Sequence, residues 1–189
     1  MSIVKTPFGK LSCGREAALY TMTNASGASV SITDFGGIVV KIIVPDRKGA
    51  LGDVVLGYDC VENYEPNYGY LGALIGRVGN RIGKGQCVLN GRKLALNANS
   101  NGQHLHGGTI GFDKKLWSVA CEEAENEDRL VLTYVSPDGE ENYPGELKVK
   151  VSYTFTSKNE LKLRYEAVSD QDTLCNLTNH TYFNLDGEG

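Results

Sequence analysis

The sequence predicts an all-β protein in which antiparallel strands form a large sandwich. Apolar and polar residues alternate over most of the chain, which is the pattern of strands with one buried face and one face in water. Glycine accounts for 23 of the 189 residues, where average usage would give about 13, and this excess is typical of a chain with many turns. No segment of ten or more residues has the 3.6-residue apolar period of a helix.

The strands can be placed in chain order from this alternation. The clearest one is predicted at 146–156, and a second run at 161–167 follows it after a short loop, so the two form a hairpin. Asn90-Gly91 predicts another hairpin between 85–89 and 92–96, because a type I′ turn needs positive φ at both central residues. The remaining predicted strands are 18–23, 28–34, 38–44, 117–121, 129–135 and 173–185, with one short helical turn near 61–65.

Composition narrows the class of protein. The net charge is −4, which argues against a broad basic surface for nucleic acid. The chain has no apolar stretch of the ~20 residues that a membrane helix needs, and its first residues do not resemble a signal peptide. The five cysteines are odd in number and contain no CxxC pair, which favours reduced thiols in a cytoplasmic protein over disulfides or a zinc site. We expect residues 1–189 to form one domain.

The residues that can perform chemistry are few. The polar, glycine-rich segment 97–116 contains His104 and His106 and is long enough to be a functional loop. The two histidines can be loop or surface residues, a catalytic or binding pair, or two ligands of a metal whose other ligands are missing nearby.

His180 lies in a run in which Asn176, Thr178, His180 and Tyr182 share one face of a regular strand. This face is either solvated or the floor of a polar cleft that positions an imidazole, which can donate and accept protons near neutral pH. Arg81 follows Asn80 in a glycine-rich run that does not match a phosphate-binding loop. It is either a solvated charge or a donor to substrate hydroxyls.

Four segments in order resemble the aldose 1-epimerase (galactose mutarotase) family. They are GNRIGKGQCVLNG at 79–91, HLHGGTIGFDKKLW at 104–117, DGEENYPGELKVKVSYTFT at 138–156 and LTNHTYFNLDGEG at 177–189. The resemblance extends from about residue 33 to the last residue. It implies an antiparallel β-supersandwich that uses no cofactor and no metal, and an activity that interconverts the α and β anomers of free hexoses such as D-galactose and D-glucose.

The resemblance also implies a role for five residues. His180 matches the general acid that protonates the sugar ring oxygen, and His106 matches the second active-site histidine. Asn80 and Arg81 match the pair that holds sugar hydroxyls, and Tyr182 matches the tyrosine of the family's His-x-Tyr pattern. His104 has no fixed role in the motif, which leaves it as a loop or surface residue.

Family members are much longer than this chain, and the resemblance places their general base, a glutamate, in the C-terminal half. Glu188 does not match that base. We therefore expect the chain to be the N-terminal part of an epimerase fold, with weak activity alone and incomplete cover over the apolar face of 147–155. The alternatives are a non-catalytic carbohydrate-binding protein and an enzyme for hexose 6-phosphates. The sequence does not determine the oligomeric state.

Overall fold

The structure, a computed structural model, describes residues 2–66 and 69–187. Glu188 lies outside these ranges. Regular structure in the described residues consists of strands and of 3₁₀ turns at Val61–Asn63, Gly83–Gly85, Phe112–Lys114 and Glu140–Asn142. The strands are β1 (Ser2–Lys10), β2 (Glu16–Thr23), β3 (Ser29–Thr33), β4 (Val39–Pro45), β5 (Leu51–Asp53), β6 (Leu74–Ile75), β7 (Arg81–Ile82), β8 (Gln86–Leu89), β9 (Arg92–Ala95), β10 (His104–Leu105), β11 (Ser118–Glu123), β12 (Glu127–Ser136), β13 (Leu147–Thr156), β14 (Leu161–Ser169) and β15 (Thr178–Asn179).

Two larger antiparallel sheets organise the chain. One contains β1 to β5 and the other contains β11 to β14, each in sequential order. Three two-stranded ladders, β8–β9, β7–β10 and β6–β15, and isolated bridges such as Val55–Phe183 and Val78–Asn176 add further pairing. The prediction of an antiparallel, nearly all-β fold is therefore confirmed, and none of the helices in the described ranges is long and apolar enough to cross a membrane.

The core lies where side chains of the two larger sheets meet. Met22 and Val30 from the first sheet pack in one apolar cluster with Leu130 and Tyr153 from the second. The Tyr153 hydroxyl also donates a 2.6 Å hydrogen bond to the Gly37 carbonyl. The expected loss of cover is wrong: Val149, Val151, Tyr153 and Phe155 are only 3%, 1%, 0% and 1% exposed, because the first sheet covers them.

Two differences from the predicted strands concern the chain ends. Strand β1 was not predicted, because its sequence has no clear alternation of apolar and polar residues. In the structure only Phe8 of its nine residues is buried. The predicted strand at 173–185 is wrong except for the two residues of β15 and the isolated bridge partners Asn176 and Phe183. The Asn179 side chain accepts a hydrogen bond from the Thr181 N–H and donates one to the Gly72 carbonyl, and such side-chain bonds compete with a regular ladder.

The hairpin predicted at Asn90-Gly91 is present. These residues have φ of 49° and 77°, as a type I′ turn requires, and they join β8 to β9. The helical turn near 61–65 is also present, as the 3₁₀ turn Val61–Asn63.

Candidate functional site

His106 is positioned by its partner across a two-residue ladder. Strands β10 and β7 bring it beside Asn80, whose N–H donates a 2.9 Å hydrogen bond to His106 Nδ1. The His106 N–H in turn donates to the Asn80 carbonyl at 3.1 Å. Both residues have positive φ, 51° and 64°, so the chain bends at each of them. Because Nδ1 accepts a hydrogen bond, the proton of the neutral ring resides on Nε2.

The surroundings of His106 keep this ring neutral. Burial, and then the neighbouring His180 and Arg81, together lower the pKa of His106 to about 4. At neutral pH the ring therefore presents a donor at Nε2 and does not compete for a proton. This arrangement suits a hydrogen bond to a developing oxyanion or to a sugar oxygen.

His180 comes to the same place from the other end of the chain. Its N–H donates to the Ala73 carbonyl at 2.9 Å, and its carbonyl accepts from the Gly72 N–H at 3.1 Å. These two bonds place the His180 ring 5.0 Å from the His106 ring, measured between centroids, with the planes at 84°. Two histidines separated by 74 positions in sequence thus form a pair in an edge-to-face arrangement.

Two tyrosines flank the histidine pair. The Tyr182 ring lies 5.1 Å from His180. The Tyr70 ring lies 4.7 Å from His106 and 5.9 Å from His180. Burial, and then the charge of Asp113, raise the pKa of Tyr70, so its hydroxyl keeps its proton. Sequence reasoning did not identify Tyr70, because its placement depends on a backbone φ of 54° that no pattern in the sequence signals.

Asn80 and Arg81 form the exposed rim of this cluster. Arg81 Nη1 lies 3.4 Å from Asn80 Oδ1, which is a long contact, and both side chains face solvent. Their polar groups are therefore free to turn toward a ligand. The structure brings Asn80, Arg81, His106, His180 and Tyr182 together, the five residues singled out in the sequence.

His104 does not belong to the cluster, and its expected surface position is wrong. It is fully buried, with Nδ1 2.8 Å from the Asn97 carbonyl and Nε2 2.5 Å from the Tyr143 hydroxyl. Since a carbonyl only accepts, Nδ1 carries the proton of His104, the opposite tautomer to His106. In an extended segment, residues two positions apart lie on one face, but His106 leaves the extended conformation at its φ of 51°.

Arg77 is a buried cation that the sequence gave no reason to separate from Arg81. It is 1% exposed, and five of the six oxygens within hydrogen-bond distance of its guanidinium belong to Ser136, Pro137, Pro144 and Gly145. The sixth is the Thr173 hydroxyl. Burial lowers the pKa of Arg77, while the nearby Glu140 opposes this effect. Arg77 therefore holds the loop between β12 and β13 in place.

The metal alternative finds no support in the described part of the chain. In residues 2–66 and 69–187, no three side chains of histidine, cysteine, aspartate or glutamate converge to form a cation site. His104 and His106 each have a ring nitrogen engaged with a protein partner.

Comparison with known proteins gives the family. The sequence model described as aldose 1-epimerase matches residues 18–189. The chain belongs to the aldose 1-epimerase family. It is 42% identical to a galactose mutarotase of Bos taurus over 189 residues, which is 100% of this chain and 54% of the relative. It is 34% identical to an aldose 1-epimerase of Escherichia coli over 175 residues, 93% of this chain and 50% of the relative.

A solved structure shows the same fold. The crystal structure of a galactose 1-epimerase from Lactobacillus acidophilus superposes with a TM-score of 0.87 at 30% identity, covering 97% of this chain and 53% of that one. The chain thus spans about half the length of the curated relatives it matches. In this member of the epimerase family, the histidine pair lies where segments from residues 70–82, 104–106 and 176–182 meet.

Proposed function

We propose that this member of the aldose 1-epimerase family binds free hexoses such as D-galactose and D-glucose and takes part in interconverting their α and β anomers. The observation that supports this most directly is the histidine pair. His106 and His180 lie 5.0 Å apart between ring centroids, and the Asn80 N–H orients His106 so that Nε2 is its donor. One oxygen of a bound ligand can contact both imidazoles at this separation.

The reaction needs two proton transfers. A base removes the proton of the C1 hydroxyl while an acid gives a proton to the ring oxygen, and the bond between C1 and the ring oxygen breaks to leave an aldehyde. Rotation about the C1–C2 bond presents the other face of the carbonyl, and the same steps in reverse close the ring. The reaction transfers protons and no electrons, so it requires no redox cofactor.

We assign the acid to His180 and a supporting hydrogen bond to His106. Because the pKa of His106 is about 4, its ring is neutral and donates from Nε2 without giving up its proton. We assign the binding of sugar hydroxyls to Asn80 and Arg81 at the rim. We assign packing against the C–H surface of the sugar to Tyr70 and Tyr182, whose rings flank the histidine pair.

The resemblance assigns the base to a glutamate in the C-terminal half of the family's longer chains, and we assign no residue of this chain to that step. One acid–base group contributes about 10²–10⁴-fold to a rate. We therefore expect the 189-residue chain to accelerate mutarotation by that much less than a chain carrying both groups.

The test combines binding and catalysis. In the ¹⁵N-histidine-labelled chain, titration with D-galactose should shift the signals of His106 and His180 and leave those of buried His104 unchanged. Polarimetry of freshly dissolved α-D-galactose should show mutarotation faster than in protein-free buffer. The acceleration should disappear in His180→Ala and persist in Lys158→Ala, a change in an exposed turn. If the chain binds D-galactose but does not accelerate mutarotation, the catalytic role is overturned. If it shows neither binding nor acceleration, the whole proposal is overturned.

A further inference from the structure

The segment that carries His106 has little regular structure to hold it. Strand β10 contributes two residue pairs, and beyond His106 the chain continues through Gly107 and Gly108 at φ of 90° and 107°. The position of the imidazole therefore depends on what holds the residues on either side of it. Asn80 holds one side. The other side is held by the loop between β12 and β13.

Glu141 in that loop binds the backbone just after His106. Its Oε2 accepts the Thr109 N–H at 2.9 Å, and its Oε1 accepts the Ile110 N–H at 2.9 Å. The Asn97 side chain, from the start of the same segment, donates to Oε2 at 2.8 Å. One carboxylate thus joins both ends of the 97–110 segment.

Gly108 makes this approach possible. A Cβ at that position would lie 2.1 Å from Glu141 Oε2, and the backbone there has a φ of 107°. Both features exclude a side chain at residue 108 and bring the carboxylate against the chain two residues after His106. Glu141 itself has a φ of 50°, a conformation that a non-glycine residue adopts only when its surroundings determine it.

The loop that carries Glu141 is itself rigidly attached. Arg77 donates to carbonyls on both sides of it, and Glu140 accepts a 2.7 Å hydrogen bond from Tyr134 and pairs with Lys115 at 2.6 Å. Burial alone would raise the pKa of Glu141, but the hydrogen bonds from Asn97, Ile110 and Thr109 outweigh it and the pKa is lowered. The side chain is therefore an anionic acceptor on a fixed support.

We propose that Glu141 is a positioning residue for His106, acting through the backbone of Thr109 and Ile110 and through Asn97 to keep the imidazole between Asn80 and His180. A carboxylate is required because both of its oxygens accept from an N–H group. Glutamine offers one acceptor and would turn its amide group toward the second N–H. Only the expected effect of Glu141 on activity rests on the proposed function; its effect on the position of His106 does not.

The decisive measurement is the tautomer and pH titration of His106 by ¹⁵N NMR in the 189-residue chain. The groups facing this ring are His180, Arg81 and Tyr70. The wild type should show the Nε2–H tautomer and a pKa of about 4. In Glu141→Gln, the loop loosens and the ring gains access to water, so its pKa should rise toward the ordinary ~6.5 and the Nδ1–H tautomer should become populated.

Two references separate positioning from general destabilisation. His104 is held by the Asn97 carbonyl and the Tyr143 hydroxyl, so it should keep its Nδ1–H tautomer in Glu141→Gln, although loss of the Glu141 charge lowers its pKa further. The matched control Glu125→Gln removes one charge at an exposed bend and should leave both histidines as in the wild type. If Glu141→Gln does not fold, Asn97→Ala removes the donor to Glu141 and the acceptor of Asn142 Nδ2 but retains both backbone bonds of Glu141. It should shift His106 in the same direction by less.

The proposal is overturned if His106 keeps its tautomer and its pKa in the folded Glu141→Gln variant. If Glu141→Gln does not fold, the same result in Asn97→Ala overturns it. It is also overturned if His104 and His106 change tautomer together. Where the chain accelerates mutarotation, Glu141→Gln should lower kcat/KM about 10²-fold, the loss typical of a misplacement of 1 Å. Absence of mutarotation in the wild type counts against the proposed function and leaves the NMR result to decide the role of Glu141.

Discussion

The two larger sheets and the segments around the histidine pair use the same backbone groups in different ways. In the sheets, N–H and C=O groups pair with each other along continuous ladders, and β12 and β13 share ten paired positions. Around the site, the ladders β6–β15 and β7–β10 share two positions each. There, many backbone groups pair instead with side chains such as those of Glu141, Arg77 and Asn179.

This difference separates the residues that stabilise the fold from the residues that position functional groups. A ladder with an apolar face is stabilised by many similar contacts, so the loss of one side chain costs free energy but leaves the geometry of distant groups intact. A segment held by single polar contacts gains little stability from them, yet each contact determines where a functional group lies. Substitutions in the two regions should therefore have opposite effects on activity and on unfolding.

The largest expected effect is that of His180→Ala. If His180 is the general acid, the catalysed mutarotation rate should fall about 10²–10⁴-fold. The free energy of unfolding should change little, because the ring is half-exposed and packs on other site residues. Polarimetry and thermal unfolding measure the two quantities. A kcat within about threefold of wild type would contradict the assigned role, since that is far less than a general acid contributes.

In the sheets, Leu130→Ala should have the opposite profile. Leu130 is fully buried and lies opposite Tyr153 on the neighbouring strand. Its truncation should destabilise the fold by about 2–5 kcal/mol in urea unfolding, the usual loss for a buried leucine. The tautomer of His106 should not change. The control Val168→Ala alters a residue that is 71% exposed on β14 and should cost less than about 0.5 kcal/mol. Equal costs for the two variants would contradict the location of the core.

Near the site, Asp113→Asn should stabilise the protein. Asp113 is 1% exposed, and Oδ2 has no hydrogen-bond partner among the described residues. Burial raises its pKa to about 6. The carboxyl therefore disfavours folding increasingly as the pH rises from ~4, the unfolded value, through 6.

Asparagine is neutral at every pH and removes this penalty. Above pH 7 the variant should be more stable than wild type by about 3 kcal/mol, and at pH 4 the difference should be close to zero. Urea unfolding at the two pH values measures it. A gain that is the same at both pH values would show that the charge of Asp113 is not the cause.

The smallest effect is expected at the rim. Arg81→Ala should raise KM roughly tenfold, the equivalent of about 1.4 kcal/mol, and lower kcat less, because the guanidinium contacts substrate hydroxyls in both the ground and transition states. Asn80→Gly should behave similarly, since it removes the amide but keeps the N–H that binds His106 and tolerates the φ of 64°. An unchanged KM with a large loss of kcat would instead place either residue in the chemical step.

Sequence reasoning reached part of the site through motif resemblance and missed the residues that act through the backbone. His106, His180, Asn80, Arg81 and Tyr182 were singled out because they stand in three of the four ordered motifs. Tyr70, Arg77 and Glu141 were not, because their importance depends on which distant carbonyl or N–H group they meet. His104 was misplaced for the same reason, since only the position of Tyr143 shows that it is buried.

The sequence by itself determined β2 to β4, β8, β9 and β11 to β14, the hairpins that join β8 to β9 and β13 to β14, and the type I′ turn at Asn90-Gly91. Alternation and turn chemistry are local properties that act between near neighbours. Tertiary structure alone decided that the strand predicted at 173–185 pairs at only a few positions, that His106 and His104 adopt opposite tautomers, and that His106 meets His180. These features depend on hydrogen bonds between residues that are 7 to 107 positions apart. Periodicity along the chain carries no information about such contacts, since many different folds could satisfy the same polar groups.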